Sequence, residues 1–257
     1  LPSGRLWYEL SGRGALFATD DTLIAHARSV YPNMSETEAQ ALVMARRLDG
    51  ESDSQIWRLF ANRQHELTAL RTTLEQWAGE DERRLRSVED IIYCWRQGFD
   101  RDRAAHGSLS LRVEEALPEW QADFSHVLTL NLSGRALLAQ ETTALLQPFP
   151  NVQHLQLYVQ PEHLGAVTER LASAPGVTQL SFTGPSLTYS AQVLRPLERM
   201  AGLRQLSLAG NLQTLDVSGL TALRRLTVSG TLETWPQGSL ALEHLEFLDI
   251  AQTPLRS

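Results

Sequence analysis

From residue 109 onward the chain sets aliphatic residues in pairs separated by one position, and the pairs recur at a nearly constant interval. Their first members are Leu109, Leu130, Leu155, Leu180, Leu206, Leu226 and Leu248, at steps of 21, 25, 25, 26, 20 and 22 residues. Three residues ahead of six of these pairs stands a further aliphatic residue: Val127, Val152, Val177, Leu203, Leu223 and Leu245. Small polar steps follow the later pairs, and a leucine comes next at Leu212, Leu232 or Leu255. Alternation over a few residues predicts a short strand with one buried side. Its recurrence at a period of roughly 20 to 26 residues predicts a stack of equivalent units.

This is the spacing of a leucine-rich repeat. It predicts an α/β fold: a solenoid of about seven units with parallel strands on its concave face, preceded by an all-α helical module. A single unit cannot cover its own leucines, whereas stacked neighbours bury them in one continuous core. The longer steps leave room for a helix on the far side of the sheet. Residues 137–146, 161–172 and 190–200 have helical character, with Pro161 suited to a helix start and Pro196 set to break the third helix. The shorter backs, 212–220 and 232–240, are expected to return as extended or turn segments.

Ahead of the strands the period changes to three-and-four, the mark of amphipathic helices. Asp20 and Asp21 are candidate caps for a helix carrying Leu23, Ile24 and Ala27, ended by Tyr31-Pro32. Ser35 with Glu38 forms a capping box, and the helix behind it sets Ala39, Leu42, Val43, Ala45 and Leu48 on one face. Asp53 or Ser54 opens the next stretch through Ile56, Leu59 and Phe60; after Asn62 it resumes with Leu67, Leu70, Leu74 and Trp77 and closes at Gly79. A last helix over 81–97 turns Leu85, Val88, Ile91, Ile92 and Trp95 inward. Trp57, Trp77 and Trp95 are expected as core aromatics. The Asp/Arg/Gly-rich segment 99–107 is the junction. Residues 1–104 are thus read as the helical module, a candidate N-terminal cap, and 105–257 as the repeat domain, truncated at its C-terminus.

Successive strand residues point to opposite sides, so leucines facing in place the intervening residues on the concave sheet face. Ser110 and Arg112 come first, then Thr129, Asn131 and Ser133. His154, Gln156 and Tyr158 follow, then Gln179, Ser181 and Thr183. Gln205 and Ser207 lead to Arg225, Thr227 and Ser229, and finally Phe247 and Asp249. This surface is polar and nearly neutral. Hydroxyls and amides interspersed with Tyr158, Phe247 and Arg225 suit a protein partner.

Composition narrows the function classes. The net charge of −7, with acidic residues outnumbering basic ones, gives no basic nucleic-acid platform. No apolar run approaches the ~18 residues of a membrane span. The sequence opens without a Met or an apolar leader and stops just after a repeat motif, which reads as a piece of a longer protein. All 23 basic residues are arginine. Arginine-rich codon usage accounts for that, and so does selection against a modifiable amine, since lysine is the ubiquitination target.

Catalytic and cofactor chemistry finds no foothold. The seven histidines show no paired metal spacing, and the single cysteine, Cys94, allows neither an internal disulfide nor a zinc knuckle. The Ser-Gly steps at Ser133, Ser218 and Ser229 lack the flanks of a nucleophile elbow. A lysine-free chain has no Walker-type phosphate loop. Cys94, on an amphipathic helix between Tyr93 and Trp95, is expected to be buried. No cofactor, metal or catalytic residue is expected in this chain.

Residues 212–231, Leu-Gln-Thr-Leu-Asp-Val-Ser-Gly-Leu-Thr-Ala-Leu-Arg-Arg-Leu-Thr-Val-Ser-Gly-Thr, with Leu232-Glu-Thr-Trp-Pro236 after them, resemble the repeats of large bacterial effectors. The upstream helical block, with Asp53-Ser-Gln-Ile-Trp57, resembles the region preceding those repeats. The family is that of the IpaH-like novel E3 ubiquitin ligases, and the likeness covers most of the chain. It implies a substrate-recognition fragment of a secreted virulence effector acting in the host cytoplasm. Its implied partners are a host or target protein on the concave face and the effector's own ligase domain. In the family a separate C-terminal domain carries a catalytic Cys-x-Asp motif; here Cys94 is followed by Trp95-Arg96, so no catalytic residue carries over. The other reading is a repeat adaptor or toxin-associated interaction module unconnected with ubiquitin.

Overall fold

The computed structural model describes residues 19–99, 107–112, 117–133, 139–174, 176–210 and 215–252; the side chains of Arg112, Ser133, Ala139, Ala251 and Gln252 are outside this description. The fold is α/β. Helices α1 (Asp20–Val30), α2 (Glu36–Leu48), α3 (Asp53–Ala78) and α4 (Glu82–Arg96) precede a seven-stranded parallel sheet. The sheet comprises β1 (Gly107–Arg112), β2 (Val127–Ser133), β3 (His154–Tyr158), β4 (Gln179–Thr183), β5 (Gln205–Gly210), β6 (Arg225–Gly230) and β7 (Phe247–Gln252). Helices α5 (Ala139–Leu146), α6 (Pro161–Leu171) and α7 (Ala191–Leu194) lie between strands in the chain. The chain divides into two compact units between Gln76 and Trp77.

In the first unit, α1 starts from Thr19, whose hydroxyl and that of Thr22 exchange hydrogen bonds with each other's backbone N–H. This corrects the expectation that Asp20 or Asp21 caps: both lie in the first turn, where their charge complements the helix N-terminus. Helix α2 has the expected capping box, Ser35 accepting from the Glu38 N–H while the Glu38 carboxylate accepts from the Ser35 N–H. Helix α3 opens at Asp53, as expected, and the residue before it caps it: the Ser52 hydroxyl accepts from the Gln55 N–H, and the Gln55 side chain accepts from the Ser52 N–H. The helix then runs unbroken through Asn62, because Phe60, Leu67, Leu70 and Leu74 are all buried on one side of it. Arg47 joins α1 to the start of α3. Its guanidinium donates to both Asp53 carboxylate oxygens, at 2.8 and 3.1 Å, and to Asp20 at 2.6 Å. That hydrogen bond and charge hold the Asp20 carboxyl below its usual range.

Two residues read as inward do not go there. Leu48 is 84% exposed on the last turn of α2, and Leu85 is 39% exposed on α4. Each satisfies its own helix's period, but the described neighbours cover Leu48 hardly at all and Leu85 only in part. Of the three tryptophans only Trp95 is buried. Trp57 is half-buried with its ring 4.2 Å from that of His26, and Trp77 lies beneath the Arg84 guanidinium at 5.5 Å.

In the second unit, strand order follows chain order and every neighbouring pair is parallel. The pairing register joins Leu109, Leu130, Leu155, Leu180, Leu206, Leu226 and Leu248 in one continuous row, the residues singled out by the period. Two residues along, Leu111, Leu132, Leu157, Phe182, Leu208 and Val228 form a second row. Both rows are buried from β1 to β6, as are Val127, Val152, Val177, Leu203 and Leu223. On β7 the cover thins, and Leu245, Leu248 and Ile250 are half-buried.

Helix α4 packs against β1 at the other edge. The Cys94 carbonyl accepts from His126 Nε2 at 2.8 Å, and the Cys94 thiol lies 3.9 Å from the Ser108 carbonyl. Between strands, α6 begins at Pro161 as expected. Helix α7 gives way to a 3-10 turn at Arg195–Arg199, one residue before Pro196. Of the two short backs, Asp216 and Gln237 pair as an isolated bridge, and a single 3-10 turn covers Ser239–Ala241. The junction at 100–106, together with Val113, Leu137, Leu212 and Leu255, lies outside the described residues.

The strand ends come very close. Gly210 and Gly230 are register partners at the ends of β5 and β6, with φ of 145° and 139°. A Cβ at residue 230 would overlap the Gly210 carbonyl oxygen. Gly230→Ala therefore meets both an unfavourable φ, worth on the order of 1–3 kcal/mol, and a steric overlap. It is expected to lower the urea midpoint by at least that energy, whereas Ser229→Ala, one residue earlier, is expected to leave it within about 0.5 kcal/mol.

Candidate binding face

The register that buries the leucines aligns the intervening residues on the opposite side of the sheet. One row reads Ser108, Thr129, His154, Gln179, Gln205, Arg225 and Phe247. The next reads Ser110, Asn131, Gln156, Ser181, Ser207, Thr227 and Asp249. Side chains from β1 to β6 in these rows line a shallow, open hollow of about 340 Å³. Six strands at a spacing of roughly 4.8 Å span about 24 Å.

Eleven of the eighteen residues placed on this face by the sequence line it: Ser110, Thr129, Asn131, His154, Gln156, Gln179, Ser181, Gln205, Ser207, Arg225 and Thr227. Phe247 and Asp249, on β7, and Tyr158, one row further along β3, are on the same face but not in the lining. The backbone of Arg112 pairs with Ser133, and its side chain is not described. The sequence reading omitted Ser108, which lines the β1 end; the same alternation, carried two residues back from Ser110, points to it.

Most of this lining is uncommitted. Thr129 and His154 bond side chain to side chain at 3.2 Å. The amides of Gln156, Gln179 and Gln205 and the hydroxyls of Ser181, Ser207 and Thr227 make no hydrogen bond to described residues. Asn131 Oδ1 is shielded from solvent and unpaired. No carboxylate lines the hollow, and Arg225 is its one cation among the described residues. Arg225 is exposed, with its guanidinium held 4.5 Å above the ring of Phe247, its register partner. The adjacent Arg224 is already engaged, donating to Glu246 at 2.9 Å.

Groups with shifted acidity lie elsewhere. Burial pushes the Cys94 thiol up to about 12, so it carries no thiolate at neutral pH. Burial also raises the Tyr189 phenol, which donates to the Ala209 carbonyl from the core side. Among the described residues no group of three or more His, Cys, Asp or Glu could hold a metal ion, and no helix is long and apolar enough to cross a membrane. Neither family models nor curated proteins nor solved structures give a match to this chain.

Proposed function

We propose that residues 105–257 form a leucine-rich-repeat solenoid behind a helical module, and that the chain is a protein-recognition fragment whose partner docks on the polar sheet face. The observation that carries this is the hollow: six strands contribute to it in register, and the amides of Gln156, Gln179 and Gln205 and the hydroxyls of Ser181, Ser207 and Thr227 bond to no described residue. Rows of ready donors and acceptors over an open, shallow surface suit a polypeptide better than a small molecule, which would be enclosed on most sides. The resemblance of residues 212–236 to the repeats of IpaH-like ubiquitin ligase effectors extends the reading. The captured protein is then a ubiquitination substrate, and the ligase chemistry belongs to a domain outside this chain.

The test uses the chain as it stands. It is expected to leave a ubiquitin-charged conjugating enzyme intact while inhibiting, in excess, substrate modification by a longer protein that carries both the repeats and a Cys-x-Asp domain. Paired substitutions Ser181→Glu and Ser207→Glu, which place bulk and charge in the middle of the hollow, are expected to remove the inhibition without shifting the thermal transition. Discharge of ubiquitin by the chain alone, or inhibition indifferent to the paired substitutions, would overturn the proposal.

A further inference from the structure

The lining of the hollow separates into a long neutral part and one charged point. Along β3 to β5, Gln156, Gln179 and Gln205 each offer an amide oxygen and an amide N–H₂, and no described residue uses either. Such groups match the N–H and C=O of a polypeptide backbone and select little among side chains. Arg225 differs. Its guanidinium stacks 4.5 Å over the Phe247 ring, which lowers the cost of ordering an otherwise free arginine side chain on binding. Among the described residues no carboxylate is paired with it: Glu246 accepts from Arg224, and Asp249 has an interaction of its own.

An anion is the group that gains most from this arrangement. A single planar fork suits a carboxylate, held by two parallel N–H···O bonds. One cation in a chain of net charge −7 is a poor site for a nucleic acid. The length of the hollow also limits the ligand. About 24 Å across six strands corresponds to roughly seven residues of extended chain at ~3.3 Å each.

We infer that the hollow takes an extended segment of a partner protein, roughly seven residues long. The glutamine amides hold its backbone, and Arg225 selects an Asp or Glu near the end of the segment that lies over β6. The inference rests on the protein-recognition reading above and adds the chemistry of the bound segment.

Random twelve-residue peptides displayed on phage, panned on the intact chain, test it. Clones are expected to share one acidic position and little else. A synthetic peptide of a recovered sequence should bind the Arg225→Gln chain at least about tenfold more weakly, the size expected for one lost charged hydrogen bond. Amidating its acidic residue should cause a similar loss, and the two changes together should cost no more than either alone. Peptides that are displaced by Ser181→Glu with Ser207→Glu but share no acid, or that bind the Arg225→Gln chain equally well, overturn this inference and leave the recognition face standing. A library yielding no clone that depends on the hollow overturns both.

Discussion

Leu206→Asp is expected to abolish the cooperative unfolding transition of the sheet. Leu206 is 1% exposed and lies in the leucine row between Leu180 and Leu226. Replacing it removes about 1.5–3 kcal/mol of apolar burial. It also leaves an unpaired carboxylate in the core, at an effective cost of several kcal/mol. Together these approach the whole stability of a typical domain, about 5–15 kcal/mol. Hydrogen exchange should then show the amides of β4 to β6 losing protection together. Ser207→Asp, one residue on, projects into the hollow and is expected to change stability by no more than about 0.5 kcal/mol. Equal damage from the two substitutions would contradict the assignment of sides.

Phe182→Ala carries the second largest expected effect. Phe182 is the only aromatic in its buried row, standing between Leu157 and Leu208. It is fully buried, and its ring centroid is 6.4 Å from that of Tyr189. Tyr189 is itself held by its hydrogen bond to the Ala209 carbonyl. With both neighbours fixed, the space left by the ring cannot readily collapse. The expected loss is about 3–5 kcal/mol, measured from urea unfolding at constant m. Phe182→Leu keeps most of the volume and is expected to cost less than about 1.5 kcal/mol.

The register of the sheet was legible because two periods coincide in the sequence. Alternation marks each strand's buried side, and the interval of 20 to 26 residues marks which residues become neighbours. Leu109 to Leu248 could be aligned on those grounds, and the rows of facing residues followed. How far the hollow reaches along each strand was not legible. Alternation places Tyr158 on the same face as Gln156 but cannot say that the hollow ends between them. The helical region shows the same limit. A stripe at helical spacing identifies Leu48 and Leu85 as apolar positions, but burial requires a second element opposite, and period alone does not reveal one. Thr19 escaped notice as a cap because its partner, Thr22, is not the Glu or Gln that signals a capping box. The stacking of Arg225 on Phe247 could have been found, since their register was already implied by the alignment of Leu226 with Leu248.

The proposed function requires that the polar face of the sheet, rather than the helices α5 to α7 between its strands, meet the partner. Site-specific photocrosslinking addresses it directly, with a benzophenone side chain placed at Gln205 in the hollow or at Ala166 on the exposed side of α6. A covalent adduct with a partner polypeptide is expected from position 205 and none from position 166, and that adduct is expected to disappear on adding Ser181→Glu with Ser207→Glu. An adduct formed from position 166 and absent from position 205 would contradict it.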